Sequence, residues 1–240
     1  MQRTLVSAFV GATVAAGLSF QAHAVDKKPL IFYGTSVEQL EYRFGDDGDV
    51  IAWDGDAFVG TDEWKLKLQS EGEYEDREDK FETLENQIFV QRLIGTFWDA
   101  KAGVRFDTPE GPDRTYGMIG LHGLAPQWFE VDADLFLSEK GDLSARLDFD
   151  YELLLTNWVI LTPTAEVDFA FSDDREIGVG AGISKAEIGL RLSYDLLERN
   201  VAPYIGTHYE RKFGETGRLA KADGEDKDAW FLVAGLRLLF

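Results

Sequence analysis

Apolar and polar residues alternate one by one along most of this chain, in runs of about ten closed by Gly, Pro, Asn or Asp. Trp64, Leu66 and Leu68 alternate with Lys65, Lys67 and Gln69. Trp98, Ala100, Ala102, Val104 and Phe106 alternate with Asp99, Lys101, Arg105 and Asp107. Val131, Ala133, Leu135 and Leu137 are set against Glu130, Asp132 and Asp134, and Leu143 to Leu153 against Arg146, Asp148, Asp150 and Glu152. The last run carries Trp230, Leu232, Ala234, Leu236, Leu238 and Phe240 on one face. Successive side chains of a strand point to opposite faces, so each run predicts a strand with one apolar and one charged face. Strands are predicted near 34–44, 50–58, 63–74, 81–94, 97–107, 114–124, 127–138, 142–154, 158–171, 185–195, 202–213 and 229–240.

Twelve such strands suit an antiparallel transmembrane β-barrel, since bacterial single-chain barrels have even strand numbers. The linkers point the same way. Gly45–Asp49, Glu75–Lys80, Thr108–Asp113, Ser172–Ser184 and Gly214–Asp228 read as long, and Val59–Asp62, Gly95–Thr96, Ala125–Pro126 and Thr156–Asn157 as short. Barrels of the outer membrane have short turns on the periplasmic side and longer loops outside. The rival is a soluble sandwich or closed barrel, which would bury its apolar face. In the membrane reading the apolar faces meet lipid and the charged faces fill the lumen. Trp98, Trp128 and Trp158, just past short turns, then form an interfacial girdle, although Trp158 has the parity of Thr162 and Glu166.

Composition and the start of the chain sharpen this. Arg3, the uncharged run Leu5–Phe20 and Ala22-His23-Ala24 read as a secretory signal peptide over residues 1–24. A short periplasmic linker follows over 25–32, and the barrel takes 33–240. The chain has no cysteine, so it has no disulfides, thiolate ligands or cysteine nucleophile. A net charge of −20 argues against a nucleic-acid partner. The partners expected instead are outer-membrane lipid and metal cations.

From about residue 33 onward the chain resembles the copper resistance protein B family of bacterial outer-membrane proteins. The resemblance rests on Trp53-Asp54-Gly55-Asp56-Ala57, on Phe97-Trp98-Asp99 with Ala102 to Asp107, and on Gly123-Leu124-Ala125-Pro126 with Trp128 to Ala133. Further on it rests on Tyr151 to Thr156, Gly178-Val179-Gly180 with Glu187 to Leu192, and Ala202 to Gly206 with Glu210 to Gly214. It implies a cell-outer-membrane barrel involved in copper resistance, with copper ion as the bound species and a periplasmic copper-handling protein as a further partner. Members of that family often carry a Met- and His-rich segment before the barrel. Here Val25 to Phe32 contains neither residue, which predicts weak intrinsic affinity.

Copper(II) favours imidazole and oxygen, and copper(I) favours thioether and thiolate. A turn centred on residue 126 would pair His122 with Glu130 and Met118 with Asp134 across one pair of strands, all four facing the lumen. That set is one candidate metal site, and His208 with Glu210 is another. Both also read as lumen hydrogen-bonding pairs. Asp99, Asp107, Glu130, Asp132, Asp134, Asp148, Asp150, Glu152 and Asp168 form an acidic ladder interleaved with Lys65, Lys67, Lys101, Arg105, Arg146, Arg191 and Arg237. The ladder suits either a cation path or a set of plugging salt bridges. No nucleophile–base arrangement, phosphate loop or metalloprotease motif is evident, so an enzyme such as an outer-membrane lipase is the less favoured class. A general cation channel and a purely structural barrel stay open beside the copper role.

Overall fold

A computed structural model describes residues 29–45, 48–77, 79–109, 111–196 and 199–240. The signal peptide expected over residues 1–24 and residues 25–28 of the expected linker lie outside the described residues.

The alternating runs form β1 (Phe32–Gly45), β2 (Val50–Gly60), β3 (Trp64–Glu75), β4 (Lys80–Leu93), β5 (Trp98–Asp107), β6 (Arg114–Leu124) and β7 (Glu130–Ser138). They continue as β8 (Leu143–Asp150), β9 (Leu153–Leu154), β10 (Val159–Ala170), β11 (Gly182–Tyr194), β12 (Val201–Lys212) and β13 (Asp228–Leu239). Each pairs antiparallel with its neighbour, and β13 pairs back onto β1, which closes the barrel. β8 and β9 both lie on β10 in one unbroken register, from Thr164 opposite Asp150 to Ile160 opposite Leu154. They are therefore one stave, and the barrel has twelve. The gap at Tyr151 and Glu152 lies opposite Pro163, which has no N–H to give the ladder. β1 carries a register shift between Val37 and Gln39, which places a bulge at Glu38.

The faces are inside out relative to a soluble protein. Leu66, Leu68, Ile88, Val90, Ile119, Leu135, Leu137 and Leu232 are exposed on the outer wall, whereas Arg43, Glu85, Gln87, Lys101, Asp134, Arg191 and His208 are buried inside. An apolar outer surface around a charged interior is stable only in hydrocarbon. The small apolar cluster within the lumen is Phe89, Tyr116, Met118 and Phe136. Among the described residues no helix is long and apolar enough to cross a membrane.

Trp64, Trp128 and Trp158 are exposed at the ends of turns. Trp158 lies in the bend before β10. Strand parity therefore does not govern it, which removes the mismatch with Thr162 and Glu166. The connections β2–β3, β4–β5, β6–β7, β9–β10 and β11–β12 share one end with the start of β1 and with Phe240, whose carbonyl accepts from Thr35 N–H at 3.0 Å. The expected alternation of loop length holds only in part. At the opposite end the β1–β2, β3–β4 and β7–β8 connections are as short as those turns, and only the β10–β11 and β12–β13 connections are long. The β12–β13 connection, expected to be loop, contains the helix α1 (Gly214–Asp223). Glu215 in its first turn and Lys221 in its last complement the helix dipole. Gly224, at φ 92°, ends it by donating to the Ala220 and Lys221 carbonyls.

Candidate functional site

Two chambers of the lumen are lined by described residues. One of about 370 Å³ lies toward the end with the chain termini and reaches His122, Glu130 and Asp150. The other, about 730 Å³, lies under the long loops and α1, whose Thr216 and Ala220 help to line it. Glu71, Glu73, Arg146, Glu166 and Glu187 border both.

That shared layer is an ionic lattice. Arg146 of β8 reaches Glu71 at 3.4 Å and Glu85 at 3.3 Å on the far wall, and Glu166 at 3.1 Å and Asp168 at 3.0 Å on its neighbour β10. Arg105 holds Glu85 at 2.7 Å. Arg43 holds Glu41 at 2.7 Å and also bonds Glu73, and Arg191 holds Glu41 at 2.9 Å. Charged side chains taken out of water are tolerated when paired this densely. Of the ladder expected from parity, all but Asp99 and Lys65 line one chamber or the other. Glu38, Glu41, Glu71, Glu85, Glu166 and Glu187 join them, although sequence reasoning did not single them out. Glu166 and Glu187 carry the lumen parity of their strands and were legible in principle.

The β6–β7 register differs from the one expected. His122 lies opposite Asp132, Gly120 opposite Asp134 and Met118 opposite Phe136. The turn spans 125–129, with Ala125 N–H donating to the Phe129 carbonyl at 2.7 Å and both Gln127 and Trp128 at positive φ. Its centre is thus residue 127 rather than 126, which slides the pairing by two residues without changing faces. Met118 consequently packs among Phe89, Tyr116 and Phe136, opposite Phe136 rather than Asp134. Asp134 accepts from Lys101 Nζ at 2.9 Å and folds over Gly120, where any Cβ would collide with Asp134 Oδ1. Neither residue joins the His122 cluster.

That cluster is His122, Glu130 and Asp132. His122 Nδ1 lies 2.7 Å from Asp132 Oδ2, and Nε2 lies 3.8 Å from Glu130 Oε1. With Nδ1 as the donor to Asp132, the network leaves the Nε2 lone pair facing Glu130. A carboxylate behind the imidazole is the usual arrangement of a histidine that ligates a metal. The Nε2–Glu130 gap admits a first-row divalent ion at about 2 Å from each atom. Asp132 in turn bonds Lys101.

The second cluster is Glu187, His208 and Glu210. Glu187 and Glu210 oppose each other across β11 and β12, and His208 lies opposite Gly189. His208 Nε2 is 3.2 Å from Glu187 Oε2. Both ring nitrogens nevertheless lack an aligned hydrogen bond, and the residue is 4 % exposed. His208 and Glu210 are thus brought together as expected, with Glu187 as an unforeseen third member.

At the loop end, Arg114 donates to Asp174 at 2.9 Å and to Glu176 at 2.9 Å, and Lys140 also bonds Glu176. These bonds tie the β10–β11 connection across the mouth. The Arg114 hydrogen bond holds the Asp174 carboxyl below its usual range, and Lys140, with Arg114 behind it, does the same for Glu176.

Residues 31–240 match the family model described as Copper resistance protein B precursor (CopB). The chain belongs to the copper resistance protein B family. A copper resistance protein B homolog of Pseudomonas syringae pv. tomato is 38 % identical over 222 residues, which is 92 % of this chain and 74 % of the relative. Copper resistance protein B of Escherichia coli is 36 % identical over the same shares. Among solved structures the NanC porin superposes with a TM-score of 0.54 at 14 % identity, covering 85 % of this chain and 98 % of the porin. A KdgM porin superposes at 0.50 and 10 % identity, covering 85 % and 99 %. At those identities the porins bear on the fold alone. They agree with an outer-membrane type of barrel for this CopB-family chain.

Proposed function

We propose that this CopB-family barrel resides in the cell outer membrane, ringed by lipid, and binds copper ions in its lumen on their way across that membrane, as its part in copper resistance. It does so without catalysing a reaction. The observation that carries the reading is the pair His122 Nε2 and Glu130, facing each other at 3.8 Å with Asp132 behind the ring. Imidazole and carboxylate suit copper(II). Met118 is withdrawn into an aromatic cluster, so the site has no soft donor and little preference for copper(I). The acids of the smaller chamber raise the local concentration of any cation. Glu130 is half exposed near the end that holds the chain termini, a position open to exchange with a periplasmic copper-handling protein. The Glu187–His208–Glu210 cluster is the second stop.

The test is copper and zinc accumulation, with copper tolerance, in cells that have or lack the protein, repeated for the double variant His122→Ala with Glu130→Ala. The reading requires that the protein alter copper accumulation or tolerance and that the double variant lose most of this effect. A barrel that changes neither is structural. A double variant equal to wild type assigns the effect to the overall field of an acidic cation channel.

A further inference from the structure

His208 is buried, and among the described residues neither ring nitrogen makes an aligned hydrogen bond, although Nε2 lies 3.2 Å from Glu187 Oε2. Buried polar atoms without a protein partner are rare, and a water or an ion is what completes them. The carboxylates that would complete such a ligand shell are not free. Lys185 Nζ lies 2.5 Å from Glu187 Oε1 and 3.4 Å from Glu210 Oε2. Without that ammonium, two like charges would oppose each other directly across β11 and β12. An ammonium has three donors and no lone pair to share. It neutralises the carboxylates and leaves the His208 lone pair unused. A divalent cation satisfies all three side chains at once.

We infer that Lys185 is the resident counter-ion of the Glu187–His208–Glu210 site, displaced when copper(II) binds there, and that its competition makes the site one of exchange rather than storage. The inference rests on the copper reading above and adds how the bound ion is released. The location fits exchange, because Glu187 borders both chambers and an ion passing between them meets this site. The His122 site differs. Lys101 Nζ sits on Asp132 and Asp134, behind the imidazole, and among the described residues no lysine pairs with Glu130. Competition by lysine is therefore a property of the inner site.

The experiment uses the purified full-length barrel in detergent, in a His122→Ala background so that only the inner site reports. Folding is checked by heat-modifiable gel mobility. Copper(II) sulfate is titrated by EPR, and release to EDTA is followed by stopped flow. Lys185→Met should bind copper(II) at least about tenfold more tightly and release it at least about tenfold more slowly, as removal of a unit positive charge beside a divalent ion requires. The gain should vanish on adding His208→Ala, and Lys185→Arg should stay at or below the affinity of the background. Lys185→Gln serves the same purpose should the methionine variant not fold. Binding in the background with no gain, or a loss, in the uncharged variants overturns the counter-ion role and leaves the copper reading standing. Absence of copper binding in wild type and every variant overturns both.

Discussion

Replacing Arg146 with Met should destabilise the barrel more than any other single change in its lumen. The guanidinium contacts Glu71, Glu85, Glu166 and Asp168 at 3.0–3.4 Å, joining β8 to β3 and β4 across the lumen as well as to its neighbour β10. Each contact is worth about 5 kcal/mol at an effective dielectric near 20. Most of that is offset by taking the ions out of water. Breaking a buried pair by removing one partner costs about 3–5 kcal/mol net, because the orphaned charges stay behind. The lower end applies here. Glu85 keeps Arg105 at 2.7 Å, and Glu71, Glu166 and Asp168 retain 33 %, 22 % and 23 % side-chain exposure, which lets water screen them. A loss of about 3 kcal/mol is therefore expected. Equilibrium urea unfolding in lipid vesicles, followed by Trp fluorescence, measures it. Arg146→Lys should fall between the two, since one ammonium cannot span four carboxylates. If the midpoint of Arg146→Met stays within the shift of about 0.5 kcal/mol typical of surface changes, the layer is freely hydrated and does not hold the walls together.

Two further outcomes follow from the loops and the outer wall. Asp174 and Glu176 have carboxyls held below their unfolded values by Arg114 and Lys140, so the strap they form is fully stabilised above the ordinary carboxylate range and loses that support as pH falls through the depressed values. A nitroxide at Arg175→Cys, the sole thiol in the chain, should be immobile at neutral pH and mobile well below pH ~4, while Arg114→Ala should free it throughout; unchanged mobility on acidification would refute the latch. Ile119 is 60 % exposed midway along β6, so Ile119→Arg should cost about 2–4 kcal/mol of unfolding free energy in vesicles. An arginine tolerated there at no cost would mean that this face does not meet lipid.

Period-two alternation is a local property, and it located the staves almost residue by residue. β6 spans Arg114–Leu124 as the pattern predicts, and the run near 142–154 is a single stave with a gap opposite Pro163. Parity alone also assigned His122, Asp132, Asp134 and His208 to the lumen. These assignments survive because a register slip of two residues leaves every side chain on its own face.

Tertiary structure decided which lumen residues meet. A turn with Gln127 and Trp128 both at positive φ moved the partner of His122 from Glu130 to Asp132 and sent Met118 to Phe136, and nothing in the alternation specifies that turn. The pairing of Glu187 with Glu210 depends on a β11–β12 register set by a connection with no comparable periodic signal. α1 was missed because its ten residues carry no apolar stripe, only a first-turn acid, a last-turn base and a closing glycine. The bonds from Arg146 to Glu71 and Glu85 lie furthest from sequence reasoning. They join strands brought face to face only by closure of β13 onto β1, and closure is a property of the whole sheet, whereas alternation is read one strand at a time.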